Sequence, residues 1–125
     1  MKKIILILII VTGLVSCQSK IYLEDGIIKC IEDVKVGSVI ELDGESYKVV
    51  DEMMFIEMMV NGDDITYICT SKITNMEYMF AKFPYFNGDI SKWDVSNVKT
   101  MSNMFRNSEF NGDRSKWDVS NVQYY

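Results

Sequence analysis

Thirteen residues of this chain, Phe86-Asn87-Gly88-Asp89-Ile90-Ser91-Lys92-Trp93-Asp94-Val95-Ser96-Asn97-Val98, return from Phe110 to Val122 with one difference, Arg114 in place of Ile90. The offset is 24 residues. A worn third copy lies upstream: Val60-Asn61-Gly62-Asp63 opens it, Asp64 stands as an insertion, and Ile65, Ile68, Ser71 and Ile73 fall where Ile90, Trp93, Ser96 and Val98 stand later. Its tail, Met76-Glu77-Tyr78-Met79-Phe80, matches Met101-Ser102-Asn103-Met104-Phe105. The units are 60–85, 86–109 and a partial 110–125. A period of about 25 residues is the length of one coil in a repeat protein, where each unit buries its apolar face only against its neighbours.

Within a unit, Asn-Gly-Asp is expected to supply a positive-φ corner. Trp93, Val95 and Val98 suit a short strand, and Met101, Met104 and Phe105 at i, i+3 and i+4 suit one face of a helical turn. Thr74 and Glu77 have the spacing of a capping box at its start. Each unit therefore reads as strand, helical turn and loop.

Residues 1–16 are set apart from the fold. Lys2 and Lys3 precede an apolar run over 4–16, which at ~1.5 Å per residue is too short to cross a ~30 Å hydrocarbon core and suits the apolar region of a signal peptide. Leu14-Val15-Ser16-Cys17 resembles the bacterial lipobox, which implies cleavage before Cys17 and lipid on its thiol. Two or three acyl chains, at ~0.8 kcal/mol per buried methylene, anchor stably where one does not. An ordinary signal peptide with an incidental Cys, or an uncleaved anchor, is the alternative. Removing two lysines shifts the net charge from −5 to −7, which opposes binding to anionic lipid or nucleic acid. The mature chain is expected outside the cytoplasm, lipid-anchored to a membrane, at the outer membrane or cell surface.

Export leaves Cys30 and Cys69 as a candidate disulfide pair. Closing a loop of about 40 residues stabilises by ~3 to 4 kcal/mol. The alternative is two buried, reduced thiols.

Residues 17–59 read as a lipid-anchored linker and cap module. Ile27 to Ile31 is a predicted strand, and Val39 to Leu42 and Glu45 to Val50 flank Asp43-Gly44, a strong hairpin signal. Met53 to Val60 follows Asp51-Glu52 and ends at Asn61-Gly62, the marks of a short helix. The sheet and helix are expected to cover the first coil. Helical spacing and the absence of His favour core packing over a copper site for the methionines. The expected fold class is α+β, a small β-rich N-terminal cap followed by a short leucine-rich-repeat-like α/β solenoid.

Trp-Asp-Val-Ser-Asn-Val followed by Met-x-x-Met-Phe and Phe-Asn-x-Asp-Ile-Ser resembles the repeat of BspA-like leucine-rich-repeat surface proteins. The resemblance covers residues 60–125, and the segment before them is similar to the leader that often precedes such repeats. It implies an exported, often lipid-anchored solenoid displayed on the cell surface and associated with adhesion to host or neighbouring-cell proteins. Family members commonly carry many repeats, and Gly88 and Gly112 stand where Gln is common.

The chain contains no His, which removes the commonest general base and transition-metal ligand. Asp63, Asp64, Asp89 and Asp113 recur at the corners and are expected to serve Asx turns rather than bind calcium, because no EF-hand or Gly-Gly-x-Gly-x-Asp pattern is present. No enzyme activity, cofactor or metal is expected. The candidate partner-binding residues, taken as exposed on the strand face, are Lys92, Asp94, Ser96, Asn97, Lys116, Asp118, Ser120 and Asn121. The leading expectation is a lipid-anchored surface protein that binds a protein on a host or neighbouring cell. The alternative is a truncated repeat-family fragment with only a structural or recombination-reservoir role. An uncapped last coil carrying Trp117, Val119 and Val122 would favour self-association.

Overall fold

The computed structural model describes residues 20–124; the expected signal peptide over 1–16 and the lipid site at Cys17 lie outside the described residues. Two hairpins open the described chain. Strands β1 (Ile21–Glu24) and β2 (Ile27–Cys30) pair antiparallel, with Ile21 opposite Cys30 and Glu24 opposite Ile27. Strands β3 (Val39–Leu42) and β4 (Glu45–Val49) pair in the same way, with Val39 opposite Lys48. Both turns are Asp-Gly with positive φ at both residues: 52° and 85° at Asp25-Gly26, 53° and 86° at Asp43-Gly44. That backbone twist matches the twist of the flanking strands. The expectation of one three-stranded leader sheet is corrected, because β2 pairs with β1.

Helix α1 (Glu52–Asn61) forms where its end signals place it. The Asp51 carboxylate accepts a 2.9 Å hydrogen bond from Met54 N–H, and Gly62 ends the helix in the left-handed region at φ 75°. The helix buries Phe55 and Met58 in the main core. The Phe55 ring meets Phe80 and Trp93 edge-on at 5.7 and 5.3 Å. Truncating so enclosed a ring to Ala costs ~3 to 5 kcal/mol.

Strand β5 (Ile68–Cys69) lies in the first repeat and pairs parallel with β4, giving the order β3-β4-β5. Leader and repeats therefore share a sheet. A second, smaller core gathers Ile21, Ile28, Val34, Tyr47, Val49 and Cys69 between the hairpins and this strand.

The expected leucine-rich-repeat-like α/β solenoid is not found. The described chain has two small sheets and one short helix, and beyond Cys69 it holds no helix or extended strand, only turns and the isolated parallel bridges Asn75 to Thr100 and Thr100 to Tyr124. The Met-x-x-Met-Phe segments fail as helices because Tyr78 and Asn103 sit at φ 56° and 57°, a conformation that breaks a right-handed helix. Their amides also point elsewhere. Tyr78 N–H donates to Ser102 C=O at 3.1 Å and Phe80 N–H to Met104 C=O at 2.9 Å, bonds between repeats that leave none for an i−4 carbonyl. Around Trp93 and Val98 the chain turns, with Trp93 N–H on Ile90 C=O at 3.2 Å and Val98 N–H on Val95 C=O at 3.0 Å.

The Asn-Gly-Asp corner takes its expected positive φ only in the first copy, at Gly62, and the capping box does not form. Gly88 and Gly112 do not adopt positive φ; a Cβ there would lie 2.9 and 2.5 Å from the rings of Phe86 and Phe110, so glycine leaves room for a ring folded back over it. The Thr74 and Glu77 capping box is replaced by Glu52 Oε2, which accepts from Thr74 N–H, Thr74 Oγ1 and Asn75 N–H at 3.1, 3.1 and 3.0 Å.

Equivalent residues of adjacent repeats stack all the same. Trp93 and Trp117 lie 6.5 Å apart and 2° from parallel, and Phe80 and Phe105 lie 5.4 Å apart at 2°. Asparagine side chains tie the turns together, Asn97 Nδ2 to Ser71 C=O at 2.8 Å and Asn121 Nδ2 to Ser96 C=O at 2.7 Å. The one mismatch between the two long copies follows from position. Ile90 is buried between repeats, whereas Arg114 is exposed and lays its guanidinium 4.7 Å from the Phe105 ring centre.

Candidate functional site

Hairpin β1–β2 lies across the side of the repeats, held by Ile28 N–H donating to Lys92 C=O at 2.9 Å. Its Gly26 sits close under Lys116; a Cβ there would lie 3.0 Å from Lys116 Nζ. Two clefts flank the hairpin. One, of about 190 Å³, is lined by Tyr47, Tyr67, Asp89, Lys92 and Trp93 among others. The second, of about 160 Å³, runs between Glu24, Asp25 and Lys29 of the hairpin and Trp93, Lys116 and Asp118 of the repeats. Trp93 lines both.

The two tryptophans differ in one polar contact. Trp117 Nε1–H donates to Ile90 C=O of the preceding repeat at 3.1 Å, whereas the buried Nε1–H of Trp93 has no hydrogen-bond acceptor among the described residues. A buried donor without a partner costs ~1 to 3 kcal/mol. In the first cleft, Tyr47 and Tyr67 meet edge to face at 5.5 Å. Burial comes first among the causes that raise the Tyr47 hydroxyl's pKa, followed by the neighbouring Tyr67.

The sequence-derived candidates divide. Lys92, Lys116, Asp118, Ser120 and Asn121 are exposed. Asp94 is not: at 4% exposure its Oδ1 accepts from Ser96 N–H and Ser96 Oγ at 3.0 and 2.6 Å, and its Oδ2 accepts from Ser71 Oγ at 2.6 Å. Ser96 is half-buried in that network, and the Asn97 amide, though exposed, is engaged by Ser71 C=O. The expectation that Asp94 and Ser96 stand on an exposed face is corrected, because the first repeat and the hairpin close over them. Asp118, at the equivalent position, keeps the same turn with Ser120 N–H and Oγ at 3.0 and 2.6 Å. Those Ser120 bonds, with a lesser pull from Lys29, hold its carboxyl below the usual carboxylate range. Asp64, Asp89 and Asp113 accept from Thr66, Ser91 and Ser115 in the same manner, and their carboxyls are lowered for the same reason.

Cys30 and Cys69 are free thiols gathered at Ser71, Cys30 half-buried and Cys69 buried, with Cys69 Sγ 4.0 Å from Ile28 C=O of the hairpin that carries Cys30. Cys69 occupies the repeat position held later by Asp94 and Asp118. Ser71 ties the cluster: its Oγ accepts from Cys30 N–H at 3.1 Å and from Cys69 Sγ at 3.4 Å while donating to Asp94. The neighbouring Cys69 is the largest cause lowering the Cys30 thiol to about 7; Cys30 in turn, with burial, drives the Cys69 thiol upward. Sequence reasoning paired the cysteines but missed Ser71. It also missed strand β1, although Asp25-Gly26 after Ile21-Tyr22-Leu23-Glu24 carries the same hairpin signal as Asp43-Gly44.

Among the described residues no group of three or more His, Cys, Asp or Glu is gathered to hold a metal ion, and no helix is long and apolar enough to cross a membrane. No curated protein and no solved structure matches the chain. One family profile does match, over residues 49–125, from the end of β4 through all three repeats. The chain thus belongs to the DUF285 family, described as a Mycoplasma protein of unknown function.

Proposed function

We propose that this chain is an exported, lipid-tethered, non-enzymatic binding protein that recognises a protein on a host or neighbouring cell through the two clefts beside hairpin β1–β2. The observation that carries the reading is the pair of clefts beside the hairpin, which share the Trp93 ring as a wall and are rimmed by charged side chains. An aromatic wall rimmed by side chains of both signs (Lys29, Lys92, Lys116, Glu24, Asp118) has the make-up of an interface with an apolar centre and a polar rim. The lipobox-like Leu14-Val15-Ser16-Cys17 supports the tether, and the likeness of the repeats to BspA-like surface proteins supports adhesion as the use.

The test is recovery of a partner from surface extracts by the mature chain, set against Lys92→Glu/Lys116→Glu and Asp118→Lys variants. Recovery should fall at least several-fold, as the loss of rim charges and their steering predicts. Equal recovery by all three proteins would remove the clefts from the interface. Protease shaving of intact cells should release the repeats; full protection would place the chain on the wrong side of the membrane for adhesion.

A further inference from the structure

We propose that Cys30 and Cys69 form a reversible thiol–disulfide exchange couple, with Cys30 as the attacking thiol, Cys69 as the resolving thiol, and small disulfides of the glutathione type as the reacting class. Three features of the geometry support this assignment. Cys69 Sγ lies against hairpin β1–β2, 4.0 Å from the carbonyl of Ile28, two residues before Cys30, so one sulfur is placed to reach a disulfide formed on the other. Their exposure is unequal, since Cys30 is half-buried at the end of β2 while Cys69 is fully buried in β5, and only one of them can meet a reagent from solvent. Ser71 Oγ, oriented by donating to Asp94 Oδ2, holds both residues, through Cys30 N–H and Cys69 Sγ.

The electrostatics agree. The polar neighbours Cys69 and Ser71 and the charge of Lys72 favour thiolate at Cys30, against burial and the charge of Asp94. A thiolate with a pKa near ambient pH is the optimal attacker.

The chemistry balances without a further reagent. The Cys30 thiolate attacks one sulfur of the small disulfide, forming a mixed disulfide and expelling one thiolate. That thiolate takes the Cys69 proton, and Cys69 sulfur attacks Cys30 sulfur and expels the second. The protein loses two hydrogens as an internal disulfide forms, and the small disulfide is reduced to two thiols. Excess small thiol runs the sequence backward. Because hairpin β1–β2 is one wall of the second cleft, and its Ile28 lines the first, the new bond pins that wall to the first repeat. The couple stands whether or not the clefts bind a protein.

The experiment uses the full chain in detergent with Cys17→Ser, so that only this pair reacts, treated with glutathione disulfide, quenched with acid over time and mapped by peptide mass. The expected course is a transient glutathione adduct on Cys30 followed by an internal Cys30 to Cys69 bond with no adduct left. In Cys69→Ala the adduct on Cys30 should persist. In Cys30→Ala, Cys69 should react about tenfold or more slower than Cys30 does in the parent, as befits a buried, protonated thiol. A first adduct on Cys69 in the unsubstituted pair, or a stable adduct with no internal bond, would overturn the assignment. That time course needs no change at either residue, so a folding defect in one variant cannot imitate the result.

Discussion

Ser71 Oγ donates a 2.6 Å hydrogen bond to Asp94 Oδ2, joining the first repeat to the second at a carboxylate only 4% exposed. Asp118 occupies the same place in the next repeat, makes the same turn with its own serine, and is exposed.

Asp94→Ala should therefore cost far more than Asp118→Ala. The first leaves Ser71 Oγ, Ser96 Oγ and Ser96 N–H short of an acceptor in a closed site, a loss of ~2 to 4 kcal/mol, against ~1 kcal/mol or less for the second. Urea denaturation of both variants reads the difference. Equal losses would mean that the network around Asp94 is not closed to water.

The tryptophans should respond unequally to a ring that lacks the N–H. Trp117→Phe forfeits the bond to Ile90 C=O, ~0.5 to 1.5 kcal/mol, besides packing. Trp93→Phe loses packing but also removes an unsatisfied buried donor, so the two effects offset and stability should change little. Thermal unfolding of the pair checks the order.

Glu52 joins α1 to the first repeat through three acceptor bonds on one oxygen. Its replacement by Ala should destabilise by ~1 to 2 kcal/mol. Amide hydrogen exchange should quicken first at Thr74 and Asn75, whose N–H groups lose their acceptor. A uniform rise across the chain would instead indicate global unfolding.

Acid should loosen the repeats in a defined sense. Asp64, Asp89, Asp113 and Asp118 all have lowered carboxyl values, owing to hydrogen bonds from the hydroxyl and amide two residues on. A lowered folded value means the contribution is complete above the unfolded value of about 3.9 and is lost as pH falls through the lower folded values. The groups are exposed, so each effect is small and screened. Urea midpoints measured from pH 5 to 2 should fall, and Ser91→Ala/Ser120→Ala should flatten that fall. An unchanged slope would deny the turns any part in it.

Features governed by neighbours in sequence were legible there. Asp51 and Gly62 bound α1, and Asp43-Gly44 sets the second hairpin, because caps and two-residue turns depend only on residues within reach along the chain. The repeat equivalence was legible as well, and it places Trp117 on Trp93 and Phe105 on Phe80. The helical turn expected within each repeat was not borne out, and the expected strand forms only in the first repeat, as β5. Spacing of Met101, Met104 and Phe105 reports which side chains share a face but not where their amides bond, and the amides of Tyr78 and Phe80 bond across to the next repeat.

The sequence alone therefore determined the repeating unit, the helix ends and which residues would stack, since each is a local or pairwise property of residue type. Only the tertiary structure decided that the first hairpin lies along the side of the repeats, that Ser71 sits between Cys30 and Cys69, and that Asp94 is enclosed while the identically placed Asp118 is open. The physical reason is that burial and hydrogen-bond partnership depend on what packs from outside the repeat, and identical residues carry no record of their different neighbours.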